Sequence, residues 1–102
     1  MSKIYFITDG TFIKIGYTGK NVNKRIKQLS TGSSSKLYAL GWVKGDKNLE
    51  KEWHNKYAYL RKNLEWFKVD DNLLNEINST NENCVYVDWL KKKLITYKKM
   101  KI

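Results

Sequence analysis

The sequence predicts a small α/β fold: a three-stranded antiparallel sheet flanked by helices, with a basic helix at the C-terminal end. Three observations predict it. Two runs of β-branched and aromatic residues, 3–8 (KIYFIT) and 12–17 (FIKIGY), bracket Asp9-Gly10. Stretches with helical apolar spacing follow near 22–30 and 47–61. At 102 residues the chain has room for one domain with a modest core.

Asp-Gly favours a two-residue type I′ turn, because both central positions need positive φ. That turn would place Tyr5 opposite Lys14, Phe6 opposite Ile13 and Ile4 opposite Ile15. Alternation then makes one face wholly apolar (Ile4, Phe6, Ile13, Ile15) and gives the other Tyr5 beside Lys14, about 5 Å apart at Cβ. Gly16 leaves space there for a ligand or another backbone. Taken alone, Tyr5 could simply pack while Lys14 lays its stem over the surface.

Val22, Ile26 and Leu29 form the stripe of a first helix over 22–30, capped by Asn21, with Arg25 on its flank. Residues 31–35 are small and polar and read as a loop. Residues 36–43 (KLYALGWV) supply the third strand. Asp46 caps a second helix over 47–61 that buries Leu49, Trp53, Tyr57 and Leu60 and carries Glu50 and His54 one turn apart. Glu65-Trp66-Phe67 is a short aromatic segment, and a third helix covers 70–78. The chain breaks at 78–81 and ends in a helix, or a strand followed by a helix, from 85 to about 99. Residues 1–80 are therefore read as the main domain, and 81–102 as a basic helical extension packed on it or prolonging it.

Twenty Lys and Arg against ten Asp and Glu give a formal charge of +10. That excess points to a polyanion, with nucleic acid ahead of anionic membrane. The single Cys84 excludes an internal disulfide and a cysteine-built zinc site. No signal peptide or apolar membrane span is recognisable, so a cytoplasmic location is expected.

The order Tyr5, Lys14-Ile15-Gly16, Arg25, Glu50, His54, Glu65-Trp66-Phe67 resembles the GIY-YIG nuclease superfamily. Within it, the chain is similar to the compact branch of phages and large viruses, whose second motif is often Lys-Ile-Gly. The resemblance covers about residues 3–68. Lys3 stands where the family has a glycine before Ile-Tyr, and Lys14 replaces the second tyrosine.

The resemblance implies metal-dependent hydrolysis of DNA phosphodiesters by a protein of phage or mobile-element origin, in the host cytoplasm. Glu50 would be the carboxylate ligand of Mg²⁺ or Mn²⁺. Arg25 would neutralise the phosphate's non-bridging oxygens. Tyr5 would activate or position the attacking water, its phenol lowered below about 10 by the Lys14 or Arg25 cation. Lys14 would assist in place of the missing tyrosine, and His54 would act as a base or phosphate donor, unless it only packs near Trp53. Lys14, Lys20 and Arg25 would contact the nucleic acid.

Other groups leave alternatives open. Glu50 could be a solvated helix partner of a lysine one turn away. Glu65 is either a second carboxylate near the metal or, the favoured reading, a salt-bridge partner of Arg61. Trp66-Phe67 reads as core or a lid, and Asp70-Asp71 as a helix cap. Lys91, Lys92, Lys93, Lys98 and Lys99 could line a helix that follows a nucleic-acid backbone. The same helix could dock through Trp89 and Leu94, or dimerise. Two function classes remain: a metal-dependent DNA endonuclease, or a non-cleaving DNA-binding regulator or interference protein on the same fold. RNA binding is a distant third, for no RNA-module signature occurs. A protein partner or a second copy would supply target choice, since the chain has little room for a specificity domain.

Overall fold

The computed structural model describes residues 2–32, 36–80 and 85–100, without the side chains of residue 85 and residues 97–100. The strands are β1 (Lys3–Thr8), β2 (Phe12–Thr18), β3 (Tyr38–Lys44), β4 (Arg61–Asn63) and β5 (Trp66–Lys68). The helices are α1 (Val22–Thr31), α2 (Lys47–Lys56), α3 (Asp71–Thr80) and α4 (Val85–Met100). The expected three-stranded sheet is corrected to five strands in the order β3-β1-β2-β5-β4, every neighbouring pair antiparallel. Helix α2 stops at Lys56, a 3-10 turn covers Ala58–Leu60, and the chain then forms the β4–β5 hairpin against β2. Two three-residue strands, one of them the polar Arg-Lys-Asn, carry too little alternation to announce themselves.

The first hairpin is also re-registered. Tyr5 pairs with Gly16, Phe6 with Ile15 and Ile7 with Lys14, so Tyr5 and Lys14 are not directly opposite. The cause lies in the turn. Asp9 Oδ1 accepts from the backbone N–H of Thr11 (2.9 Å) and of Phe12 (2.8 Å). Thr8 Oγ1 donates to the Phe12 carbonyl at 2.7 Å. Gly10 has φ +95°, but Asp9 is not in the positive-φ region, as a type I′ turn would require. The side chain thus holds a longer connection. A shift of two leaves every residue on its expected face, whereas a shift of one would have reversed them all.

The apolar face (Ile4, Phe6, Ile13, Ile15) meets Leu40, Phe67, Trp53 and Tyr57, then Leu73, Leu74 and Ile77 of α3 and Val87 and Leu90 of α4. The opposite face carries Tyr5 and Ile7 under Val22 of α1, with Ile26, Leu29 and Leu37 around them. The caps are as expected: Asn21 Oδ1 accepts from Asn23 and Lys24, Asp46 Oδ1 from Asn48 and Leu49, and an Asp70 carboxylate oxygen from Asn72. The third helix runs through Thr80, past the break expected at 78. The loop residues 33–35 and the lone Cys84 lie outside the described residues.

Candidate active site

The site forms where β2 outruns β5. Strand β5 pairs with β2 only at Phe12, Ile13 and Lys14. Beyond them Ile15 donates its N–H to the Glu65 carbonyl at 3.0 Å. Its own carbonyl lies 2.8 Å from His54 Nε2. A carbonyl only accepts, so Nε2 carries a proton and donates it. The other nitrogen, Nδ1, accepts from Arg61 Nη2 at 2.9 Å. His54 thus holds α2 against the open edge of β2, with both ring nitrogens engaged. That contact sets Glu50, one turn earlier, beside the same edge.

From the other face, Tyr5 reaches the same place. Its ring lies over Gly16 so closely that a Cβ there would fall 2.3 Å from Cζ and 2.4 Å from the hydroxyl oxygen. The glycine is what allows the phenol to lie across β2. Burial pushes the phenol above its ordinary value. Arg25, hydrogen-bonded to it, pulls the other way, while Glu65 and Glu50 add to the rise. The expectation of a lowered phenol is corrected: 1 % exposure outweighs the neighbouring cation.

Glu65, favoured as a partner of Arg61, pairs with Lys14 instead, Oε2 to Nζ at 3.4 Å, because Arg61 is turned to His54. It lies in the β4–β5 turn after Leu64, whose φ is +44°. Burial first, and then the Glu65 carboxylate, raise the Glu50 carboxyl above the usual range, with His54 opposing. Glu50 Oε2 is buried without a hydrogen-bond partner among the described residues. Tyr5, Arg25, Lys14, Glu50 and Glu65 therefore share one electrostatic cluster. A sheet alignment would have exposed Glu65: once Lys14 is paired with Trp66, the preceding residue must sit at the end of that pairing.

Lys20 lines a neighbouring cleft with Thr18, Lys24, Arg25 and Gln28. Lys24 and Gln28 were not anticipated. The α4 lysines are elsewhere. Lys91 donates to Asn75 Oδ1 at 2.7 Å, and Lys93 to the Gly10 carbonyl at 2.8 Å, with its ammonium 4.8 Å from the Trp89 ring centroid. Lys92 is exposed, and the side chains of Lys98 and Lys99 lie outside the described residues. Helix α4 docks on the core through Val87 and Leu90, of which Val87 was not anticipated. Among the described residues no helix is long and apolar enough to cross a membrane.

No curated protein and no solved structure matches the chain. A family comparison matches residues 3–89 to the T5orf172 domain, which occurs in phage proteins and is associated with nuclease-like proteins. The match runs from the first strand into α4, over most of the molecule, and the chain belongs to the T5orf172 domain family.

Proposed function

We propose that this protein is a metal-dependent DNA endonuclease of GIY-YIG type, of phage or mobile-element origin and working in the host cytoplasm. The observation that carries the reading is the buried, unpartnered Glu50 Oε2 beside a second carboxylate, Glu65, across from Tyr5 and Arg25. Two acids pressed together raise each other's cost unless a proton or a cation lies between them. Hard carboxylate oxygens suit Mg²⁺ or Mn²⁺, the remaining ligands being phosphate oxygens and water. Among the described residues no third acid, histidine or cysteine joins them. Such an ion, when bound, stabilises the charge on the phosphate and the departing oxygen.

The chain's own groups do the rest. Arg25, half-buried and hydrogen-bonded to the Tyr5 hydroxyl, offers its remaining N–H donors to non-bridging oxygens. Tyr5 keeps its proton at neutral pH and so orients a water or phosphate oxygen by donating to it. Lys14, held by Glu65, balances the acid charge and faces the incoming backbone. His54 is a positioning residue that fixes Glu50. Residues 1–80 supply the site and 81–102 a basic extension; a partner or second copy supplies target choice.

One observation favours the second reading, a non-cleaving DNA-binding regulator: neither Tyr5 nor His54 offers a free base, the one raised and the other engaged at both nitrogens. Supercoiled plasmid incubated with Mg²⁺, Mn²⁺ or EDTA separates the two. Nicking that needs metal and vanishes in Glu50→Ala and Arg25→Ala supports the nuclease. Plasmid that is shifted on a gel but left intact, equally by wild type and Glu50→Ala, supports the regulator.

A further inference from the structure

On the Tyr5 face of the sheet, the register sets Trp42 of β3 beside Tyr5 and Lys44 of β3 beside Lys3. Trp42 is 42 % exposed, an unusual position for the largest apolar side chain on a sheet whose other large residues are mostly covered. The Lys3 ammonium lies 4.2 Å from its ring centroid. Lys3 and Lys44 are directly paired like charges, an arrangement that destabilises a sheet. Neither has an ion-pair partner among the described residues. The cation–π contact offsets part of that repulsion, and an anion bearing an aromatic ring would match both ammonium groups and stack on the exposed part of the indole.

The row continues toward the candidate active site. On the far side of Lys3 stands Thr18, whose hydroxyl accepts from the Lys20 N–H at 3.1 Å. Thr18 and Lys20 share a cleft with Lys24 and Arg25. From Trp42 to Gly16, under the Tyr5 ring, is two strand spacings, about 10 Å. A short oligonucleotide spans that distance. We infer that Trp42, with Lys3 and Lys44, is a stacking subsite for an unpaired base flanking the phosphate held at Arg25, the backbone between them following Thr18, Lys20 and Lys24. The subsite extends the proposed nuclease site, yet its binding chemistry needs no cleavage.

Fluorescence anisotropy of labelled oligothymidine and of a blunt duplex, both in EDTA, tests this. Trp42→Ala should bind oligothymidine about tenfold more weakly and the blunt duplex within about twofold of wild type. Trp42→Phe, which keeps an aromatic face and guards against misfolding, should recover most of the loss. Lys44→Ala should flatten the plot of log affinity against log salt by about 0.7 on the single strand. Glu76→Ala, at the α2–α3 junction and outside the site, should bind oligothymidine like wild type. Oligothymidine affinity unchanged in Trp42→Ala, or an equal loss on both DNAs, overturns the inference. A protein that never nicks plasmid yet shows this pattern refutes the nuclease alone; one that nicks plasmid while Trp42→Ala binds normally refutes the stacking site alone.

Discussion

Glu50 and Glu76 lie in the same small protein and are treated in opposite ways. Glu76 of α3 accepts from both the Lys56 ammonium and the Tyr57 hydroxyl, at the junction of α2 and α3. Burial pushes its carboxyl up, but those two donors more than offset it and hold it below the usual range. Tyr57 responds in kind: burial and the hydrogen bond to Glu76 push its phenol far above normal. Glu50 is pressed by burial and by a second carboxylate, Glu65. One of its oxygens is orphaned, its nearest acid is Glu65, and its carboxyl is raised. A charge that serves the fold is given partners by the fold; under the proposed function, Glu50 is held for a ligand instead.

Breaking the waiting side should cost function. Glu50→Ala and Arg25→Ala should each lower metal-dependent nicking by about 10²–10³-fold, the usual loss when a group facing developing charge is removed. Glu76→Ala should leave nicking within a few-fold. Plasmid kinetics at matched folded concentration would show whether the two glutamates separate in this way.

Breaking the satisfied side should cost stability. Glu76→Ala strips Lys56 and Tyr57 of their acceptor and should destabilise by about 1–2 kcal/mol, a melting drop of several degrees. The pH sign follows from the lowered carboxyl. Its contribution is present above the unfolded value near 4.5 and is lost as pH falls through the lower folded value. Wild type and Glu76→Ala should therefore converge in acid, in calorimetric melts taken across that range.

The site's legibility in sequence was uneven, for physical reasons. Helix caps and β-branched runs are local, so Asn21, Asp46 and the first two strands could be read directly. The turn register could not. Asp-Gly fits a type I′ turn, but Asp9 took two backbone donors for itself and lengthened the connection. The family-like order marks Tyr5, Arg25 and Glu50, and the structure brings those three together. Glu65 was underrated because its place depends on β4 and β5, two strands stabilised by tertiary pairing rather than by their own pattern. No spacing rule could have shown Trp42 beside Tyr5, since that contact joins strands far apart in sequence.

Smaller effects sharpen the contrast further. Glu50→Gln removes the carboxylate repulsion and should stabilise the fold by about 0.5–1 kcal/mol at neutral pH. Because the Glu50 carboxyl is raised, the wild type recovers that cost once protonated; the gain should shrink as pH falls through the raised folded value and be gone below the ordinary value of about 4.5. Thermal melts at neutral and acid pH check the sign. Leu64→Gly relieves a left-handed backbone at a residue that is 83 % exposed, so it should raise the melting temperature slightly, by about 0.5 kcal/mol in stability.

The most direct test of the Glu50–Glu65 carboxylate pair is the melting temperature of the DNA-free protein with and without Mn²⁺, in wild type, Glu50→Ala and Glu76→Ala. The account predicts that Mn²⁺ stabilises wild type and Glu76→Ala alike and leaves Glu50→Ala unmoved. Equal stabilisation of all three, or none in any, would contradict it.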